Sequence, residues 1–198
     1  MDKPLIFIHI PKTAGTAIAT VAQHLKIAVK GHDIRDPNFA HLDQYDVASF
    51  NQYHIFAVVR NPWDRVLSSF LYLQTGGRNI GDAEDGKKFV QHYQGDFNQF
   101  VESAFVTDDI LEQLHFMPQY RWVCDAKENL LVDTIIKFEN FQTEMDLFLS
   151  KNGRKPLKIP KVNATVHKHY TEYYSKKAIE IIAKVYEKDI SFFNYSYQ

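Results

Sequence analysis

The sequence predicts an α/β protein with a central, mainly parallel sheet of four to five strands flanked by helices. Three observations carry this. Short, continuous apolar runs of strand length recur, the pattern of strands buried on both faces. Each is followed by a segment whose apolar residues fall at helical spacing. The alternation repeats along the chain, and repeated strand–helix units close into a parallel sheet through right-handed crossovers. The length of 198 residues suits a single domain spanning 1–198, large enough to bury roughly two thirds of its unfolded surface without staples.

The elements follow in order. Leu5 to Ile10 is an apolar run interrupted only by His9, and Pro11-Lys12-Thr13-Ala14-Gly15-Thr16 ends it. Ile18, Val21, Ala22 and Leu25 then mark one face of a helix. Lys26 to Lys30 reads as a short second strand. His54 to Arg60 is the next strand. Asn61 suits an N-cap and Pro62 the first helical position, with Trp63, Val66, Leu67, Phe70 and Leu71 on the buried face. Val132 to Phe138 reads as a further strand with its helix over Glu139 to Leu149, and Ser175 to Phe193 as one long C-terminal helix. Residues 78–112, with eight acidic and three basic side chains, read as a variable, partly helical insertion. Residues 151–170 carry six basic and no acidic side chains and read as a basic loop segment.

Composition excludes several classes. Hydrophobic residues make up 45% and charged residues 24%, values of an ordinary soluble globular chain. With 23 basic and 24 acidic residues the net charge is −1, against bulk nucleic-acid binding, which needs a strong positive excess. The single cysteine, Cys124, excludes an intramolecular disulfide framework and a Cys-rich zinc site. No apolar run has the length of a signal-peptide core or a membrane span. The expectation is a cytoplasmic protein without stable membrane insertion. Oligomeric state is not legible.

Two motifs carry chemistry. Pro11, Lys12, Thr13, Ala14, Gly15, Thr16 and Ala17 lie where a buried strand ends and a helix begins, at the carboxyl edge of a parallel sheet, where ligands bind. Unpaired N–H groups of the helix start, small residues, a lysine and two hydroxyls suit a phosphate or phosphosulfate. The bland alternative is a tight turn with a solvated lysine. The loop is not a Walker A motif, because Lys12 precedes Gly15 and no glycine stands four residues before Lys12. The second motif, Arg60-Asn61-Pro62-Trp63-Asp64-Arg65-Val66-Leu67-Ser68-Ser69, starts at the same edge. Arg60 with Ser68, about two turns into the next helix, suits a second phosphate; the alternative pairs Arg60 with a structural carboxylate.

Together these two motifs resemble the paired signatures of sulfotransferases that use 3′-phosphoadenosine 5′-phosphosulfate (PAPS). The carbohydrate-sulfotransferase branch, with heparan 2-O and chondroitin-type enzymes and small bacterial relatives, is the most similar. Ile135 to Phe141 and Asn163-Ala164-Thr165 are also similar to that family. The resemblance implies a P-loop-like three-layer fold and a metal-independent, in-line sulfuryl transfer from PAPS to a hydroxyl of a saccharide or glycoconjugate, releasing 3′-phosphoadenosine 5′-phosphate (PAP). It implies that residues 11–17 hold the 5′-phosphosulfate, that Arg60 and Ser68 hold the 3′-phosphate, and that Asn163 and Thr165 lie on a loop closing over the nucleotide. Ala17 departs from the pattern, since many relatives carry a serine or threonine there.

Lys12 is the natural cation for the leaving phosphate, and a sugar hydroxyl needs a base. Among nine histidines, His32, between the two motifs, is the candidate that the resemblance favours. Asp33 and Glu139 are the alternative bases. His9 reads as a hydrogen-bonded core residue and His54 is ambiguous. His115, His167 and His169 are open between groove and surface. Phe116 to Trp122 reads as core plus turn. The rival functions are a P-loop-type small-molecule kinase and a non-catalytic module binding PAP or an anionic glycan.

Overall fold

The computed structural model describes residues 3–30, 51–160 and 168–198 and holds one sheet of four strands, all parallel, in the order β2-β1-β3-β4. The strands are β1 (Leu5–Ile8), β2 (Ile27–Lys30), β3 (His54–Val59) and β4 (Thr134–Lys137). Eight α-helices occur among the described residues: α1 (Gly15–Leu25), α2 (Pro62–Gln74), α3 (Ile80–Asp85), α4 (Phe97–Ala104), α5 (Tyr120–Val123), α6 (Phe141–Lys151), α7 (Lys176–Val185) and α8 (Glu187–Phe193). None is long and apolar enough to cross a membrane.

The chain forms two compact units, residues 1–60 with 119–164, and residues 61–118 with 165–198. The first contains the sheet. Leu5 and Phe7 of β1, Phe56 and Val58 of β3 and Ile136 of β4 share one core with Ile18, Val21 and Leu25 of α1 and Met145, Phe148 and Leu149 of α6. The alternate residues Ile6, Ile8, Ile55, Ala57 and Val59 are buried as well, which is why these strands read as continuous apolar runs. Ile8 pairs with Lys30 on one side and Ala57 on the other. The ladder stops there, two residues short of the apolar run. Arg154, in the basic segment, donates through Nε to the carbonyl of Leu25 at the end of α1 (3.2 Å), where a cation also complements the helix dipole.

The second unit is helical and built on aromatic packing. Phe100 of α4, wholly buried, lies 5.0 Å from Phe70 of α2 and 5.2 Å from Phe116, ring centre to ring centre. Such offset contacts add to the roughly 1.5–3 kcal/mol from burying the ring itself. The acidic stretch 78–112 contains α3 and α4, and its Val90, Phe97, Phe100, Val101, Phe105 and Ile110 are part of this core.

The C-terminal segment departs from the expected single helix. It kinks at Tyr186 (φ −104°, ψ 25°) between α7 and α8, although the helical bonds from Tyr186 to Ile182 and from Ile190 to Tyr186 persist. The Tyr186 ring is buried and its hydroxyl donates to the carbonyl of Phe116. A buried phenol needs such a partner.

Candidate functional site

The strand order puts β2 on one side of β1 and β3 on the other. The carboxyl ends of β1 and β3 therefore form the topological switch point, where open α/β sheets bind ligands. The first motif follows β1, and Arg60 is the residue after β3.

The loop after β1 has an unusual backbone. Lys12 (φ 68°) and Ala14 (φ 73°) both adopt the left-handed conformation, which costs an L-residue about 1–2 kcal/mol. Such strain persists only where the surroundings over-determine it. Thr13 is wholly buried and its hydroxyl donates to the carbonyl of Ile10 (2.9 Å). Arg60 donates through Nη1 to the carbonyl of Lys12 (3.2 Å). The imidazole of His9 lies on Gly15: a Cβ there would stand 1.7 Å from Nε2. Glycine is thus required at 15 by close approach and not by its φ. His9 is half-buried, stacked with Phe7, and so belongs to the loop's surroundings as well as to the core.

α1 then starts from Ala14, which offers no side-chain acceptor, and no acidic residue lies in the first turn. The positive end of the helix carries nothing of its own to satisfy it, an arrangement suited to an anion. Lys12 is half-buried and Thr16 exposed. Ala17 is 5% exposed and faces the core shared with β1, so the departure at this position changes packing and not the open side of the loop. Thr13, named for its hydroxyl, uses that hydroxyl inside the loop. Its main-chain N–H is what it offers an anion.

Arg60 is 8% exposed. Its guanidinium carbon lies 4.3 Å from the centre of the Phe138 ring, a cation–π contact. Gln119, wholly buried, bonds both main-chain groups of Arg60. Nothing in the sequence singled out Gln119; the one available signal was an amide inside an aromatic run bound for burial.

In the second unit the rest of the motif does two jobs. Asn61 caps α2 through Trp63 N–H (3.1 Å) and donates to the carbonyl of Ser196 (2.9 Å). Arg65, 1% exposed, donates to the carbonyl of Met117 (2.9 Å), and Ser69 to that of His115 (2.9 Å). Ser68 differs: the residue is 4% exposed, its hydroxyl makes no hydrogen bond among the described residues, and that hydroxyl is not one of the fully buried polar atoms left without a partner.

The candidate bases separate. His32, Asp33, Asn163, Thr165 and His167 lie outside the described residues. Glu139 is exposed in the turn that follows β4. His54, at the opposite end of β3, bonds Thr134 Oγ1 (2.8 Å). His169 is exposed and bonds Thr171. His115 is buried 3.8 Å from Asp82, which also accepts from Tyr72. Burial and that bond hold the Tyr72 phenol well above its ordinary range, so it stays a donor. This is a structural network. Among the described residues no three His, Cys, Asp or Glu side chains gather as a metal ion would need.

A model of the sulfotransferase family matches residues 1–196, through both units. The chain belongs to the sulfotransferase family. A curated relative from Archaeoglobus fulgidus, described as an uncharacterized protein, is 30% identical over 106 residues, covering 52% of this chain and 71% of that protein.

Proposed function

We propose that this sulfotransferase takes its sulfuryl group from PAPS and delivers it to a hydroxyl of a saccharide or glycoconjugate, leaving PAP. The observation that carries the reading is the loop with two left-handed residues running into an uncapped helix at the switch point of the sheet. PAPS supplies an activated sulfuryl group on a phosphate leaving group. The N–H groups of residues 13–17 suit its 5′ end, and the Lys12 ammonium is the group to stabilise the charge that develops on the leaving oxygen. Arg60 offers a planar fork for the 3′-phosphate, and Ser68 a hydroxyl. Asn163 and Thr165 are assigned to the loop over the nucleotide on the motif alone. His32 is the proposed base, holding the acceptor hydroxyl's proton on an imidazole nitrogen; Asp33 and Glu139 are the alternatives. No metal enters this scheme.

A thermal-shift titration with PAP, ADP and ATP, each with and without Mg²⁺, tests the reading. At a hundredfold excess over its Kd a ligand that binds only the native state adds about 2.7 kcal/mol. Stabilisation by PAP, indifferent to Mg²⁺ and absent with ADP, is the expected result. Stabilisation by ATP only with Mg²⁺, and none by PAP, overturns it in favour of a kinase. PAP binding without sulfuryl transfer to any saccharide hydroxyl, unchanged by replacing Lys12 and His32, indicates the non-catalytic module.

A further inference from the structure

We infer that Gln119 is a positioning residue that acts through Arg60. Arg60 lies one residue beyond β3, where its main-chain N–H and C=O have left the ladder. Gln119 accepts the Arg60 N–H at Oε1 (2.9 Å) and donates from Nε2 to the Arg60 carbonyl (2.8 Å). A carboxamide side chain carries a donor and an acceptor in one plane on a single sp² carbon, as a neighbouring strand's peptide groups would present them. Gln119 is wholly buried, so the pairing excludes water, and the loss of either partner would leave a buried group unsatisfied. The amide comes from 59 residues along the chain, at the point where the first unit resumes after residues 61–118.

The other end of Arg60 is held as well. Its guanidinium rests 4.3 Å from the centre of the Phe138 ring and donates to the Lys12 carbonyl at 3.2 Å. An arginine has many rotamers, and ordering it on binding weakens affinity. With its main chain pinned by Gln119 and its head held by Phe138 and Lys12, Arg60 is ordered before the nucleotide arrives. The same contact ties the end of β3 to Lys12, one of the two left-handed residues of the loop. This inference rests on the reading in which Arg60 meets the 3′-phosphate.

The test compares affinities for PAP and for adenosine 5′-monophosphate (AMP), which lacks the 3′-phosphate, by calorimetry. The wild type is expected to prefer PAP. Gln119→Met, similar in length but without either hydrogen bond, is expected to bind PAP about tenfold more weakly and AMP within about threefold of wild type, the loss of one charge-assisted contact. Gln119→Glu keeps the acceptor and loses the donor, so its preference falls between the two. Phe138→Leu removes the ring face at the other end of Arg60, lies at a half-buried position that tolerates the change, and is expected to lower the preference in the same way. An unchanged PAP-to-AMP ratio in these variants, or equal losses for both nucleotides, overturns the positioning role and leaves the nucleotide reading standing. A wild type with no preference for PAP overturns the reading of Arg60 itself, and the inference with it.

Discussion

The two strand-to-helix junctions of the signature motifs solve the same problem in opposite ways. α1 begins at a left-handed alanine with no side-chain cap and no acidic residue in its first turn. α2 begins at Asn61, whose side chain accepts from Trp63 N–H, with Pro62 at the first position and Asp64 in the first turn. The second helix start is satisfied from within. The first has no side-chain cap and no acidic residue in its first turn among the described residues, and it follows a loop with two left-handed residues.

The strongest way to break this contrast is at Lys12. Lys12→Ala is expected to lower turnover about 10²- to 10³-fold, the effect of losing one preorganised donor to a developing charge, with little change in ligand-free unfolding temperature. Steady-state sulfuryl-transfer rates alongside thermal melts check this. Unchanged turnover would falsify the assignment of the loop to the leaving group.

Next is Gly15→Ala, which would raise helix propensity in an ordinary helix. Here the added methyl meets the His9 ring, and overpacking of this kind costs about 1–3 kcal/mol. Denaturant titration should show the loss. The double variant with His9→Ala should recover most of it, and failure of that recovery would remove His9 as the reason for the glycine.

Asn61→Ala attacks the self-satisfied junction. Losing this cap should lower stability by about 0.5–2 kcal/mol while lowering PAP affinity by less than Lys12→Ala does. A larger effect on PAP than on unfolding would mean the second helix start also serves the ligand.

The smallest effect sharpens the comparison at a third helix start. α7 is capped by Ser175, whose hydroxyl accepts from Ala178 N–H and donates to Glu102 (3.1 Å each). Lys177, 2.8 Å away, and then Ser175 hold the Glu102 carboxyl below its usual range. A carboxylate depressed in the folded state stabilises at pH values above its unfolded pKa, and the contribution is lost as pH falls through the folded one. The small gap in melting temperature between wild type and Glu102→Gln should therefore be open at neutral pH and close below the ordinary glutamate range. A gap that persists in acid would assign the difference to packing.

Much of this molecule was legible in its residues. All four strands and the helices after β1, β3 and β4 were legible in apolar runs and helical spacing, most clearly β1 and β3, where burial on both faces leaves no room for polar alternation. The motif at Arg60 was legible as a unit, but the roles of its parts were not. Arg65 and Ser69 are as polar as Arg60 and Ser68, and only burial among carbonyls marks the first pair as structural. In the acidic stretch 78–112, charge counts hide six apolar residues that belong to a core. The kink at Tyr186 was invisible because helical spacing continues through it.

The sequence by itself determined the α/β class, the loop of residues 11–16 and the helix starts, since these depend on local periodicity, small residues and capping chemistry within a few positions. Tertiary structure alone decided which polar groups are already satisfied. Thr13 turns inward to Ile10, Gly15 yields its space to His9, and Gln119 reaches Arg60 from 59 residues away. Hydrogen-bond satisfaction and steric exclusion are set by neighbours in space, and for a buried side chain those neighbours come from strands and loops remote along the chain.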